Sequence, residues 1–342
     1  MTENQFISEL ETAISHLPEA ERNDILVDIR EYFSDGREDG KTDDEIASSL
    51  GSPAKIAEDL LDSYPFIEND TPAEVSDELI TITDNSYTNV DIDVQHGALF
   101  VRPSHDTTTT VELIGSNEKL ELTAQVVGDT LVVRLKSLRH WLFMFNFNMK
   151  AVTLNVFIPK KLYQSFAMKT DNGRIDATKI LGNNVTANTD NGRIQLKEIA
   201  ASSLTAETDN GRIVLEKAQV DHVRTKTDNG RIEMSHIDAE SIGAESDNGR
   251  IVLEHVKGSV VGITDNGRII LQTESLDRNI DLKTDNGSIL VESRMEPTNV
   301  SIHAKTGHGR VDIFGERNSR TVIGAGENTI RLKSDNGRIT VR

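Results

Sequence analysis

Eight aspartates recur along the chain in the tripeptide Asp-Asn-Gly, and evenly spaced carboxylates suggest calcium chemistry. The tripeptides begin at residues 171, 190, 209, 228, 247, 265, 285 and 335. Calcium-binding repeats, however, place a Gly-Gly-x-Gly-x-Asp unit about every nine residues. The first seven copies here are 18 to 20 residues apart, and most carry an arginine three residues after the aspartate as a counter-charge. The spacing therefore argues against a calcium site.

Other reactive groups are scarce. The chain has no cysteine, which excludes thiolate zinc sites, cysteine nucleophiles and disulfides. Carbohydrate-active β-helix enzymes need clustered carboxylates and aromatic platforms, yet Phe314 is the only aromatic residue from 167 to 342. The remaining carboxylates recur in columns, whereas catalysis needs one distinctive cluster. The sequence predicts no catalytic residue, no cofactor and no metal site, so we do not expect an enzyme.

The repeat predicts the elements that carry these groups. With the arginine after Asp-Asn-Gly as position 1, positions 2 and 12 are aliphatic and position 14 is small in most copies. Two short strands per unit follow from this alternation. The pattern favours an all-β domain built as a single-stranded parallel β-helix (a β-solenoid) with about 19 residues per coil. A meander of antiparallel hairpins with type I′ Asn-Gly turns is the alternative.

In the solenoid, the asparagines turn a corner in each coil. We expect Asn and Gly to supply left-handed backbone angles there, and the amides to hydrogen-bond along the stack. The predicted corner residues are Asn172, Asn191, Asn210, Asn229, Asn248, Asn266, Asn286 and Asn336.

The rest of the chain divides by composition. Residues 1–64 form an acidic helical domain, residues 65–78 a linker, residues 79–166 an irregular β cap region, and residues 167–342 the solenoid. The cap contains alternating aromatic residues that pack over the open coil or contact a membrane or partner. These are Trp141, Phe143, Phe145 and Phe147.

The N-terminal segment is predicted to be a small helical bundle. Residues 1–75 hold 20 acidic and 5 basic side chains in a chain of net charge −19. Apolar residues Phe6, Leu10, Ile14 and Leu17 are spaced as on one helix face. Thr42 and Glu45 form a capping box ahead of a later helix.

This segment resembles the HAAS domain, a helical signalling domain found beside PadR-type regulators and on membrane proteins. The resemblance rests on the LPEAER, DGK and LGSP elements of residues 4–64. With the solenoid behind it, the chain looks like the YvlB/LiaX-like family of Gram-positive bacteria, whose β part is described as adhesin-like. That resemblance implies a role in cell-envelope stress and no catalytic residues.

Together, the repeat, the acidic helical segment and the two resemblances predict a non-enzymatic scaffold or signalling protein. A protein partner is expected, either a membrane protein of phage-shock type or a transcriptional regulator, with peripheral membrane contact. The acidic chain argues against nucleic acid. Since no secretory signal is visible, we expect a cytoplasmic location at the inner face of the membrane. A surface-associated adhesin-like protein is the alternative.

Overall fold

The computed structural model describes most of the chain. It covers residues 1–15, 42–57, 76–116, 120–137 and 152–342, together with residues 17, 22, 25, 26, 29, 30, 32, 33 and 37. These residues fall into two compact units, one with the helices and the other with all of the β-strands. The predicted linker lies largely outside the described residues, and the first strand begins at Ser76.

Both named helices of the first unit begin with a capping box. Helix α1 spans Glu3–Ala13, and Thr2 and Gln5 exchange side-chain to backbone hydrogen bonds at its start. Helix α2 spans Asp43–Leu50, and Thr42 and Glu45 make the same exchange. Each box satisfies backbone N–H groups that the first turn leaves without partners. The capping box predicted at Thr42 is confirmed.

The apolar face of the first helix is buried as its spacing predicts. Phe6, Leu10 and Ile14 are fully buried, and Leu17 is nearly so. The ring of Phe6 meets that of Phe33 edge to face, with centroids 5.6 Å apart. The helical unit therefore has a small hydrophobic core of its own.

The second unit contains twenty-two strands in the described part of the chain. In chain order they are β1 Ser76–Ile82, β2 Asn89–His96, β3 Ala98–Pro103, β4 Thr109–Ser116, β5 Leu120–Val127, β6 Thr130–Ser137, β7 Thr153–Ile158, β8 Tyr163–Asn172, β9 Ile175–Thr178, β10 Leu181–Thr189, β11 Ile194–Thr208, β12 Ile213–Thr227, β13 Ile232–Ser246, β14 Ile251–Thr264, β15 Ile269–Thr273, β16 Ile280–Asn286, β17 Ile289–Ser293, β18 Val300–His308, β19 Val311–Ile313, β20 Arg320–Ile323, β21 Asn328–Asn336 and β22 Ile339–Val341.

The central strands stack in parallel and in register. Ile194 pairs with Ile213, which pairs with Ile232, so residues at the same repeat position face one another. The domain is therefore a parallel β-solenoid, and the meander is excluded. One coil is a residue shorter than its neighbours, and the register between β13 and β14 shifts between Asp238 and Ser241 to absorb the difference.

The interior of the solenoid is aliphatic along most of its length. The position-2 isoleucines, such as Ile194 and Ile213, have no exposed surface. Three buried aromatic residues lie at the N-terminal end, where the Tyr163 ring contacts Tyr87 and Phe166 at centroid distances of 6.1 and 5.3 Å. Near that end, rings thus replace part of the aliphatic packing.

Regular stacking begins before residue 167. Strands β2 and β3 form a coil that pairs in parallel with β8 and β9. On their other side, β2 and β3 pair in parallel with β6 and β7, which come later in the chain. The first coil in sequence is therefore the second coil in space.

The C-terminal end shows the same reversal. Strands β21 and β22 lie between the coil of β16 and β17 and the coil of β18 and β19. The last coil in sequence is again the second from the end in space. Each chain segment that would otherwise fray is held by hydrogen bonds on both edges.

Antiparallel strands cover both ends of the stack. Strand β5 pairs with β6 through the hairpin turn predicted at Gly128 and Asp129. Strand β4 pairs with β7 and also with β1. At the other end of the stack, β20 pairs with β18. Such covers protect the parallel edges from pairing with another chain.

Candidate functional site

The asparagines of the Asp-Asn-Gly corners form a hydrogen-bonded ladder on the surface of the solenoid. Each amide Nδ2 donates to the Oδ1 of the asparagine in the neighbouring coil at 2.8–2.9 Å. In spatial order the ladder runs through Asn172, Asn191, Asn210, Asn229, Asn248, Asn266, Asn286 and Asn336. The corner thus presents one exposed edge of identical amides.

The glycine of each corner is required by space and not by its backbone angle. A Cβ on Gly211 would lie 1.8 Å from the carbonyl oxygen of Gly192, and the other stacked corners are equally tight. No Asp-Asn-Gly residue has a positive φ, so the expectation of left-handed angles at this corner is wrong. The corners pack backbone against backbone, with no room for a side chain.

A buried hydroxyl behind each glycine fastens this packing. Thr189 Oγ1 donates to the carbonyl of Gly173 at 3.1 Å, and Thr208 does the same to Gly192. Later coils repeat the bond with threonine or serine. The corner is therefore held by one amide and one hydroxyl bond per coil, in addition to the strand ladders.

The aspartates beside the ladder contact lysines two residues earlier in several coils. The Nζ to Oδ1 distances are 3.2 Å for Lys283–Asp285 and 3.1 Å for Lys333–Asp335. Among the residues that the structure describes, no group of three or more His, Asp or Glu side chains is arranged to hold a metal ion. The aspartate column thus belongs to a surface of alternating charge.

Left-handed residues occur at a second corner of the coils, which the sequence did not indicate. Five residues at position 6 have φ between 52° and 60°, and we call them the left-handed column: Lys179, Glu198, Lys217, His236 and His255. Glycine and asparagine usually occupy this conformation, so lysine, glutamate and histidine give no sequence signal for it. The last two members place their rings side by side, with centroids 5.0 Å apart.

The solenoid departs from its repeat immediately after the left-handed column. Strand β15 ends at Thr273 and β16 begins at Ile280, and the residues between them form a loop. A cleft of about 770 Å³ opens beside this loop, lined by side chains that include His236, His255, Glu274 and Arg278. The cleft thus lies where the periodic surface is interrupted.

The arginine column on the outer face contacts an acidic side chain at position 3 in two coils, at Asp176 and Glu233. Glu233 accepts hydrogen bonds from Arg212 of the preceding coil and from Arg231, which immediately precedes its own strand. Burial opposes ionisation of Glu233, but the two guanidinium groups outweigh it and lower the pKa of this carboxyl. The pairing stabilises the stack and leaves Glu233 charged at neutral pH.

Comparison with known proteins shows which families this chain matches. A family model described as Toastrack DUF4097 matches residues 87–342, which is more than half of the chain. The chain belongs to the Toastrack family. A second family model, HAAS, matches residues 5–59. No curated protein matches the sequence.

Several solved structures resemble the Toastrack domain at low identity. A candidate adhesin from Bacteroides fragilis is 13% identical, with 79% of this chain and 99% of that chain covered and a TM-score of 0.41. A candidate cell adhesion protein from Clostridium sporogenes is 12% identical, with 78% and 99% covered and a TM-score of 0.24. A candidate lipid-binding protein from Parabacteroides distasonis is 13% identical, with 78% and 97% covered and a TM-score of 0.37.

Two further findings concern contact of this Toastrack protein with membranes. The predicted aromatic contact residues Trp141, Phe143, Phe145 and Phe147 lie outside the described residues. Within the described part of the chain, none of the helices combines the length and apolar character needed to cross a bilayer.

Proposed function

We propose that this chain is a non-enzymatic scaffold or signalling protein of the cell-envelope stress response in a Gram-positive bacterium. The helical unit docks a protein partner, and the solenoid presents a repetitive binding surface. The fusion of a HAAS domain to a Toastrack domain supports this assignment. It is also the arrangement expected of the YvlB/LiaX-like family.

The observation that carries the proposal is the in-register stacking of exposed groups. Equivalent residues of successive coils pair directly, so each outward column repeats at the spacing of parallel strands, about 4.8 Å. A partner with its own repeat meets the same group at every coil, and many weak contacts then add up. This arrangement suits a binding surface better than a reaction centre.

The helical unit supplies a different kind of surface. Glu9 and Glu11 on α1 and Asp44 and Glu45 on α2 are exposed. A surface rich in carboxylates attracts a basic partner and orients it as it approaches. A membrane protein of phage-shock type or a transcriptional regulator with a basic surface is the expected partner.

In-cell cross-linking of the full chain during envelope stress tests this docking role. The double variant Glu9→Lys with Glu11→Lys should lose the cross-linked partner, because it reverses two exposed charges of α1. Asp221→Lys with Glu240→Lys makes the same change in net charge on exposed residues of the solenoid. If both variants retain the partner equally, the acidic helices are not the docking surface.

Protease treatment of intact and lysed cells tests the location. Protection in intact cells supports the cytoplasmic scaffold, whereas digestion of intact cells supports the adhesin-like alternative. Liposome flotation of wild-type protein, Trp141→Ala and Phe145→Ala addresses the membrane contact. Wild-type protein that does not float would remove peripheral membrane binding from the proposal.

A further inference from the structure

The cleft beside residues 274–279 lies where the chain departs from the repeat of the solenoid. In the preceding coils a residue of the left-handed column turns the chain at position 6. Here strand β15 ends at that position, at Thr273, and a loop follows. Six charged or imidazole side chains from strands β13 and β14 and from the loop then face one cavity. They are His236, Asp238, His255, Lys257, Glu274 and Arg278, with Arg294 at its edge.

Arg278 lines this cleft, and no carboxylate among the described residues pairs with it. Its Nη1 donates to the carbonyl oxygens of Val256 and Gly258, both at 2.8 Å. Its Nη2 donates to Thr273 Oγ1 at 2.9 Å. The buried Nε has no hydrogen-bond acceptor among the described residues. Backbone carbonyls orient the guanidinium but leave its charge unbalanced.

The pKa of Arg278 shows the effect of burying this charge. Burial alone lowers the pKa of Arg278 to about 10. A buried charge is unfavourable unless an opposite charge offsets it. An anion in the cleft would provide that charge.

The other charges in the cleft are already matched. Lys257 Nζ lies 3.1 Å from Asp238, and Arg294 Nη1 lies 2.9 Å from Glu274. His255 Nδ1 lies 3.4 Å from the same Glu274 oxygen. Among the described lining residues, permanent cations therefore exceed carboxylates by one, in a chain whose net charge is −19. The cleft is locally cationic on an acidic protein.

We propose that this cleft binds a small hydroxylated organic anion, a sugar-sized molecule that carries a carboxylate or a phosphate. The anionic group faces Arg278, and the hydroxyl groups meet the imidazole, hydroxyl and carboxylate groups of the lining. The volume of about 770 Å³ is in the range of known small-molecule sites. The proposal does not depend on the scaffold function, since the cleft is far in sequence from the helical unit.

Isothermal titration calorimetry of the full chain with three probes tests the proposal. Glucuronate presents a carboxylate, glucose 1-phosphate presents a phosphate, and glucose is the neutral control. At least one anion should bind while glucose does not, and the tighter of the two identifies the anionic group. Binding should weaken as salt concentration rises, because it depends on charge.

Two variants locate the binding. Arg278→Gln should weaken binding about tenfold or more, because it removes a charge-assisted contact. Lys257→Glu reverses an exposed charge at the rim and should weaken binding several-fold. Lys226→Glu makes the same change in net charge on a lysine that does not line the cleft, and it should bind as wild type.

Three results would contradict the proposal. It is overturned if none of the three probes binds at millimolar concentration, or if glucose binds as tightly as the anions. It is also overturned if Lys257→Glu and Lys226→Glu bind alike. Should Arg278→Gln unfold, which a circular dichroism melt detects, the comparison of the two lysine variants decides. The result of these binding experiments is independent of the cross-linking test of the helical unit.

Discussion

Asn336 donates its side-chain hydrogen bond to Asn286, a residue fifty positions earlier in the chain, at 2.8 Å. The coil that lies between them in sequence is displaced to the outside, where His308 pairs with Asn336. The N-terminal end mirrors this arrangement, since His96 pairs directly with Asn172. At both ends the outermost coil is an internal chain segment, and this has consequences for stability.

The corner glycines should tolerate substitution far less well than glycines that have space for a side chain, such as Gly243. In Gly211→Ala the new methyl group would meet the Gly192 carbonyl oxygen at 1.8 Å, so the coils must separate. We expect a loss of about 3 kcal/mol or more in the free energy of unfolding, as for severe overpacking. Chemical denaturation followed by circular dichroism measures it.

Gly243→Ala is the matched control for that variant. A Cβ on Gly243 meets only the Val223 carbonyl oxygen, at an ordinary contact distance of 3.7 Å. Because glycine is unfavourable within a strand, alanine should increase stability by about 0.5 kcal/mol. Equal effects of Gly211→Ala and Gly243→Ala would show that the coils are not packed through the corner.

The left-handed column stores backbone strain that a substitution can release. Lys217 has a φ of 56°, a conformation that asparagine tolerates better than lysine. Lys217→Asn should therefore raise the free energy of unfolding by about 1 kcal/mol. Thermal melts with constant salt would detect the corresponding rise in Tm.

Lys197→Asn is the control for strain release. Both lysines contact Glu216, at 3.0 Å from Lys197 and 3.8 Å from Lys217, so either variant loses one exposed ion pair. Lys197 lies in a strand without a positive φ, where asparagine is disfavoured. A Tm increase in both variants, or in neither, would mean that the left-handed corner is not strained.

The sequence predicted the solenoid because its physical requirements recur in every coil. In-register parallel stacking places like residues together, so an aliphatic interior appears as aliphatic columns at positions 2 and 12. The glycine of the corner was found for the same reason, although its cause was assigned to φ and not to the close approach of backbones. The helical unit was recognisable from its capping boxes and the apolar stripe that includes Phe6 and Leu10.

The order of the terminal coils, the left-handed column and the cleft have no comparable signal in the sequence. Every coil offers the same edge to its neighbours, so repeat identity does not reveal that Asn336 stacks on Asn286. The left-handed column is made of lysine, glutamate and histidine, which are not typical of that conformation. The cleft depends on the loop after Thr273, which lengthens the spacing between two Asp-Asn-Gly copies by only one or two residues.

The pairing of Glu233 with two arginines should make stability depend on pH. Its pKa in the folded protein is lowered from 4.5, so its contribution is present above the unfolded value and is lost as pH falls through the folded value. Glu233→Gln should therefore be about 1–2 kcal/mol less stable than wild type at pH 7. The difference should shrink steadily below pH 4.5.

Urea denaturation between pH 3 and pH 7 tests that dependence. Glu245→Gln, at an exposed residue of the same strand, should follow the wild-type curve within a few tenths of a kcal/mol. A gap between wild type and Glu233→Gln that stays constant across this pH range would exclude a role for the charged form of Glu233.

Removal of residues 328–342 should have more effect than the loss of one terminal coil. In a stack that followed chain order, the coil of β18 and β19 would keep its neighbour after this truncation. In the observed order, β18 loses its parallel partner β21, and β16 and β17 lose theirs on the same side. Strand β20 still pairs with Val300–His303. We therefore expect amides of Lys305–His308, which pair only with β21, to exchange freely in hydrogen–deuterium exchange, while those of β12 remain protected. Continued protection of Lys305–His308 in the truncated protein would show that this part of β18 does not depend on β21, and that the interleaved order does not secure this end of the solenoid.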